Sequence, residues 1–196
     1  MNNGQLTTDN GQLTMGIEIE KKYRLTREQS ARLHENLRAS GATPEGEDFE
    51  ENTLYAGGTL DPSRQVLRVR RVGGRAILTY KERFFSASAI KHYREDETIV
   101  ENADALSDIL DALGFRPAVV YEKRRATWRL MNTEIVLDEL PFGFFAEIEG
   151  EEQAIREVEE RLGLKDAEAE MATYPELTRR HGVKRGDLIE ARFASS

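Results

Sequence analysis

Charged side chains recur at every second position along several stretches of this chain, opposite apolar ones. That alternation narrows the fold more than any other feature. Successive side chains of a β-strand point to opposite faces, so residues i and i+2 share one. Glu18, Glu20 and Lys22 share a face opposite Ile17, Ile19 and Lys21. Arg68 and Arg70 stand opposite Leu67 and Val69, and Glu147 and Glu149 stand opposite Ala146 and Ile148. Thr79 with Lys81, Glu95 with Glu97, Lys123 with Arg125, and Asp138 with Glu134 and Val136 repeat the pattern. One such face alone is most simply turned to water, as in a half-exposed antiparallel sheet. Seven together carry a different message: the apolar faces pack outward under helices, and the charged faces line the inside of a barrel.

Turn and cap signals divide the chain into about eight strands with helices spliced between them. Strands are predicted at Gly16 to Arg24, Glu51 to Tyr55, Gln65 to Val72, Ala76 to Lys81, Ile90 to Val100, Val119 to Leu130, Glu134 to Leu140 and Phe144 to Gly150. Gly73-Gly74 is a hairpin signal. Thr26 with Gln29 makes a capping box for a helix that Gly41 closes. Further helices are expected over the apolar spacing of 105–114, over the acidic stretch Glu151 to Leu162, and near Pro175 to His181. There is no βαβ rhythm. The expected fold class is α+β: an eight-stranded antiparallel β-barrel with helices packed outside, which encloses room for one small ligand. An open sheet with helices on one face is the alternative.

Residues 1–14, in which NGQLT occurs twice, read as a disordered polar tail, and 15–196 as one barrel domain. A net charge of −8 argues against a general nucleic-acid binder, which would be basic. The chain has no cysteine, which excludes disulfides and thiolate chemistry and fits a cytoplasmic setting. No apolar run has the length of a membrane helix and no signal peptide is visible, so no membrane partner is expected. A homodimer is compatible with the sequence, although no interface patch is legible.

The inward charges have a chemical use. Carboxylates supply the oxygen ligands that hold Mg²⁺ or Mn²⁺, and Arg and Lys bind phosphate oxygens. A lumen with both signs therefore points to a polyanion bound together with metal ions. Other constellations are weak. His34, His92 and His181 form no metal pair and read as surface residues; there is no G-x-S-x-G elbow, and Gly57-Gly58 lacks the Lys of a phosphate loop. The Glu run at 151–160 reads as the solvated side of a helix whose buried side carries Ile155, Val158 and Leu162. Arg94 should face away from Glu95, and Lys184 and Arg185 read as solvated. Phe84, Phe85 and Phe142, in loops, are candidates for stacking on a base or for covering core.

In chain order these residues resemble the CYTH superfamily, the triphosphate tunnel metalloenzymes, and within it the class IV adenylate cyclase-like and thiamine triphosphatase-like branch. Glu18-Ile19-Glu20-Lys21-Lys22 is similar to the family's opening Glu-x-Glu-x-Lys. LRVR at 67–70, LTYKE at 78–82, REDETIV at 94–100, YEKRR at 121–125, IVLDELPFGFFAEIEG at 135–150 and TYPEL at 173–177 follow in the family's order. The resemblance implies metal binding by Glu18, Glu20, Glu147 and Glu149, with Glu95, Glu97 and Asp138 adding ligands or orienting water. It implies triphosphate binding by Lys22, Arg68, Arg70, Lys81, Lys123 and Arg125. Glu18, Glu20, Lys22 and Asp138 stand as the catalytic set. The expected activity is metal-dependent triphosphate hydrolysis, of inorganic tripolyphosphate or an organic triphosphate. The alternatives are a class IV adenylate cyclase and a polyphosphate-binding module without turnover.

Overall fold

The charged faces meet because the strands that carry them join in a ring. The computed structural model describes residues 16–84 and 91–194, and among these it leaves the side chains of 16–18, 84 and 91–93 undescribed. The expected tail at 1–14 and Phe85 lie outside the described residues. In chain order the elements are β1 (Gly16–Leu25), α1 (Arg27–Ala39), β2 (Thr43–Gly57), β3 (Gln65–Val72), β4 (Arg75–Phe84), β5 (Lys91–Val100), α2 (Ala103–Ala112) and β6 (Phe115–Leu130). They continue with β7 (Thr133–Leu140), β8 (Gly143–Glu149), α3 (Glu152–Arg161), β9 (Glu168–Ala169), α4 (Tyr174–His181), β10 (Val183–Arg185) and β11 (Leu188–Ala191).

Strands β6, β2, β3, β4, β5, β1, β8 and β7 pair antiparallel in that order, and β7 pairs back to β6. This is the eight-stranded barrel, and the open-sheet alternative falls. The long strand β6 makes the closure. Its residues 124–130 pair with β7, while 119–121 take the parallel strand β11 on the same edge. Strands β9, β10 and β11 were not anticipated; each is short and hydrophobic alternation is too brief there to register. Strand β2 is also far longer than the expected Glu51 to Tyr55. Its first half holds Pro44, Gly46 and several acids, all poor strand formers, and pairs with residues 123–129 of β6 despite a register shift between Pro44 and Gly46.

Local signals set the joints. Gly73 and Gly74 both have left-handed φ, of 54° and 76°, as a tight two-residue hairpin requires. Thr26 caps α1 and Gln29 reaches back to the Thr26 amide. The far end closes with Ala42 N–H donating to Leu37 C=O and Gly41 N–H to Arg38 C=O, the Schellman pattern.

The apolar faces point outward. Tyr23 and Leu25 of β1, Ala146 and Ile148 of β8, Ile135 and Leu137 of β7 and Trp128 of β6 are buried under Leu33 and Leu37 of α1 and Ile155 and Val158 of α3. On the other side Val69 and Ala76 are buried with Leu110 of α2. Burying one such side chain contributes roughly 1.5–3 kcal/mol, so the helices hold the ring from outside and leave the lumen to polar groups. A third cluster lies inside. Leu54, Tyr121, Leu140 and Phe145 pack with Tyr174 and Leu177 of α4 and form an apolar floor. Among the described residues no helix is long and apolar enough to cross a membrane.

Candidate functional site

Above that floor the inward faces enclose a cavity of about 330 Å³. Strand β1 brings Glu20 and Lys22 to it, β3 Arg68 and Arg70, β4 Thr79 and Lys81, and β5 Glu95 and Glu97. Strand β6 adds Tyr121, Lys123 and Arg125, β7 Glu134, β8 Glu147 and Glu149, and α4 Tyr174. Depth is graded. The side chains of Asp138, Lys123 and Lys22 are 0%, 2% and 3% exposed, against 30% for Glu97 and 33% for Glu134 nearer the mouth. A larger, shallower groove of about 600 Å³, between the Gly73-Gly74 hairpin and the start of α2, gathers none of these residues.

Each buried charge has an opposite one within reach, which is the condition for keeping it charged away from water. Arg125 donates to both oxygens of Asp138 at 2.7 and 2.6 Å and to Glu147 at 2.8 Å. Lys22 is 3.1 Å from Glu147, and Lys81 is 2.8 Å from Glu95. Arg68 reaches Glu97 at 3.2 Å and Glu95 at 3.5 Å, and Arg70 reaches the same Glu97 oxygen at 3.2 Å. Thr79 Oγ1 donates to Glu97 at 2.6 Å.

The pKa values follow these contacts. Burial draws Lys22 down, but Glu147 and Glu20 more than reverse this and leave it raised. Lys123 goes the other way: burial, helped by the neighbouring Arg125, outweighs Asp138 and Glu50 and leaves it lowered. Glu147 is lowered, because Lys22 and Arg125 overcome the effect of burial.

Most of the residues read from the sequence meet here. Glu20, Lys22, Arg68, Arg70, Lys81, Glu95, Glu97, Lys123, Arg125, Glu147 and Glu149 all line the cavity. The backbone of Glu18 stands on β1 opposite Tyr93, and its side chain lies outside the described residues. Asp138 is displaced from the role expected of it. It is on the inward face opposite Arg125 and Phe145, buried beneath the lining residues with its oxygens engaged by Arg125, by the Tyr174 hydroxyl at 2.7 Å and by Lys123 at 3.6 Å, so it anchors cations. Arg94 is exposed and pairs with Asp96 at 3.0 Å, away from the lumen. Phe142 packs edge-on to Phe145 and stacks on His181, covering the floor. Among the histidines His34 lies edge-on to buried Trp128, half-buried rather than at the surface. The His92 side chain lies outside the described residues.

Glu50 was missed. It is 3% exposed, with oxygens 3.3 Å from Lys123 and 3.6 Å from Arg70, and it accepts from Asn52. The signal was present: Glu50, Asn52 and Leu54 alternate on one face. It was hidden because the strand was expected to start one residue later. Tyr174 was seen only as part of a motif.

As they stand, no three acidic or histidine side chains among the described residues converge on one point as ion ligands do. The donors nonetheless fit a divalent cation. Glu20, Glu149 and Glu134 are register partners across β1, β8 and β7, and all three line the cavity. Facing side chains on neighbouring strands stand about 5 Å apart at Cβ, so small rotations bring their carboxylates onto one ion. Charge makes the same case. Among the described lining residues the six cations Lys22, Arg68, Arg70, Lys81, Lys123 and Arg125 face the six carboxylates Glu20, Glu95, Glu97, Glu134, Glu147 and Glu149, and Glu50 and Asp138 are buried beside them. A polyanion entering a lumen whose cations are already matched by carboxylates must bring positive charge with it.

Comparison with known proteins agrees with this geometry. The CYTH domain matches residues 16–176. The PH1012 protein from Pyrococcus horikoshii OT3 is similar in structure, with a TM-score of 0.72 and 29% identity, over 82% of this chain and 98% of that one. A Vibrio parahaemolyticus protein provisionally designated an adenylate cyclase has a TM-score of 0.65 and 22% identity, over 84% of this chain and 98% of its own. HpAC1 from Hippeastrum, also provisionally designated an adenylyl cyclase and found to have a dominant triphosphatase activity, has a TM-score of 0.64 and 18% identity, over 83% of this chain and 95% of its own. The last two establish likeness of fold alone. No curated protein matches the chain. The family match spans the barrel from β1 into α4, and the chain belongs to the CYTH superfamily, the triphosphate tunnel metalloenzymes.

Proposed function

We propose that this protein is a metal-dependent triphosphatase that holds inorganic tripolyphosphate, or the phosphate chain of an organic triphosphate, in its barrel lumen. The observation that carries the reading is the lumen itself: six cations around about 330 Å³, interleaved with as many carboxylates. That volume is at the lower end of the roughly 300–1,000 Å³ typical of ligand sites, which suits a compact polyanion. The same fold carries a dominant triphosphatase activity in HpAC1. A fold does not fix a substrate, so the weight rests on the lumen.

The roles follow from side-chain chemistry. Arg68, Arg70 and Arg125 present planar forks to phosphate oxygens, and Lys22, Lys81 and Lys123 act as point charges. On binding, phosphate oxygens take over donors that otherwise serve Glu95, Glu97 and Glu147. Glu20, Glu134 and Glu149, with Glu18, are the residues that would hold Mg²⁺ or Mn²⁺. When bound, such an ion neutralises charge on the phosphate oxygens. Glu95 and Glu97 orient water for in-line attack on the terminal phosphorus. The new O–P bond forms as the phosphoanhydride bond breaks, and the proton of the water passes to a lumen carboxylate. Burial strengthens each of these interactions by lowering the local dielectric.

Hydrolysis stands ahead of cyclisation because a cyclase also needs an adenine pocket. Tyr121 and Tyr174, the aromatic residues among the described lining residues, lie at the floor beside the lysines rather than at the mouth. The test is product analysis with ATP, thiamine triphosphate and inorganic tripolyphosphate, each with Mg²⁺ and with Mn²⁺. Orthophosphate from tripolyphosphate or thiamine triphosphate is expected. Cyclic AMP and pyrophosphate from ATP would replace this reading with the cyclase. Tight tripolyphosphate binding with no product would leave a binding module.

A further inference from the structure

Tyr174 enters the lumen from α4, and neither phosphate binding nor metal binding accounts for it. It is 6% exposed. Its ring centroid lies 3.8 Å from the Lys22 ammonium and 5.5 Å from that of Lys123. Its hydroxyl donates to Asp138 at 2.7 Å. Burial and the adjacent Asp138 raise the hydroxyl pKa, so it remains a protonated donor. Phe145 meets the ring edge-on at 5.4 Å and Tyr121 lies 6.1 Å away, which fixes its plane.

The chemistry of a ring at this place differs from that of a carboxylate. A carboxylate beside an ammonium holds it and cancels its charge. An aromatic face attracts the same ammonium through its quadrupole and leaves the full positive charge and the N–H donors free for another partner. Both lysines also have carboxylate partners, Glu147 at 3.1 Å for Lys22 and Glu50 at 3.3 Å for Lys123. The ring adds an attraction that uses none of their N–H donors, so it continues to hold them when phosphate oxygens take those donors over. Resting on the triphosphate reading of the lumen, we propose that Tyr174 is a positioning residue. Its ring is the platform that aims Lys22 and Lys123 at the innermost phosphate, and its bond to Asp138 locks that platform to the Arg125 network.

The test compares Tyr174→Phe, which keeps the ring, with Tyr174→Leu, which removes it, using the non-hydrolysable imido analogue of tripolyphosphate with Mg²⁺ as the probe in titration calorimetry. Tyr174→Phe is expected to bind within about threefold of wild type, and Tyr174→Leu about 3- to 30-fold more weakly, the range of a desolvated cation–π contact. In a Lys22→Met background the loss caused by Tyr174→Leu should shrink to less than half, because the nearer ammonium is gone. A purely structural role would cost the same in both backgrounds. Unchanged affinity in Tyr174→Leu, or an undiminished loss in the Lys22→Met background, overturns the inference alone. A wild-type protein that binds neither tripolyphosphate nor this analogue in the presence of Mg²⁺ overturns the proposed function and this inference with it.

Discussion

Glu50 reaches three cations from one buried position: Lys123 at 3.3 Å, Arg70 at 3.6 Å and Arg125 at 3.9 Å. Removing one partner of a buried ion pair leaves the other uncompensated, at a cost of about 3–5 kcal/mol. Glu50→Gln should therefore lower unfolding stability by about that amount at pH 7, read by urea denaturation. Burial pushes the Glu50 pKa up, but Lys123, Arg125 and Arg70 more than reverse this, so it lies below the ordinary 4.5. A carboxylate with a depressed folded-state pKa contributes in full above its unfolded value and loses that contribution as the pH falls toward the folded one. Wild type should thus lose more stability than Glu50→Gln between pH 7 and pH 3.5, and equal losses would refute the ion-pair account. At the cavity wall, Arg68→Ala should weaken tripolyphosphate binding by roughly 10- to 100-fold, the worth of a charged hydrogen bond. Glu20→Gln should instead cut metal-dependent turnover by about 100-fold or more with the fold intact, a loss of transition-state charge stabilisation. Full activity in Glu20→Gln would remove that residue from the metal set. At this scale Lys22, Arg68, Arg70 and Arg125 were legible because spacing alone shows which side chains share a face. That Asp138 turns to Arg125 and Tyr174 was not, because the choice depends on what other strands and α4 bring alongside.

Helix α4 shows how an element eight residues long can govern a site. Thr173 and Glu176 form a reciprocal capping box, with the Thr173 amide donating to Glu176 at 2.6 Å and the Glu176 amide to Thr173 at 3.4 Å. That cap immediately precedes Tyr174, so it orients the residue whose ring meets the lysines. Thr173→Ala should cost about 1 kcal/mol of stability, the usual worth of an N-cap. It should also weaken tripolyphosphate binding by loosening Tyr174; a loss of stability with unchanged binding would separate the cap from the site. Gly57, where β2 ends, is a second element-scale constraint. Its φ is +114°, and a Cβ there would stand 2.3 Å from the carbonyl oxygen of Gly114. The close approach seats the end of β2 against the start of β6. Strand and helix positions were largely legible, since Gly73-Gly74, Thr26-Gln29 and the apolar spacing of α2 and α3 are local signals. The length of β2 was not, because its first half has poor strand residues and is held by the ladder to β6 and by contacts such as Arg129 to Glu45 at 3.0 Å.

For the whole molecule, a ligand that binds only the folded barrel should stabilise it. Tripolyphosphate with Mg²⁺ at about 100 times its Kd is expected to add about 2.7 kcal/mol, read as a rise in the thermal midpoint that Arg68→Ala reduces. The barrel itself was foreseeable from sequence. Alternation of period two fixes which residues share a face, and seven charged faces opposite apolar ones leave an inward-charged ring under outer helices as the consistent arrangement. Composition and local turn chemistry carry no information about which distant charge lies beside which. The pairing of Glu50 with Lys123, the engagement of Asp138 by Arg125 and Tyr174, the row of Glu20, Glu149 and Glu134 across three strands and the entry of Tyr174 beneath the lysines were decided by tertiary structure alone. Each depends on the register between strands remote in sequence and on a helix from the end of the chain closing the floor.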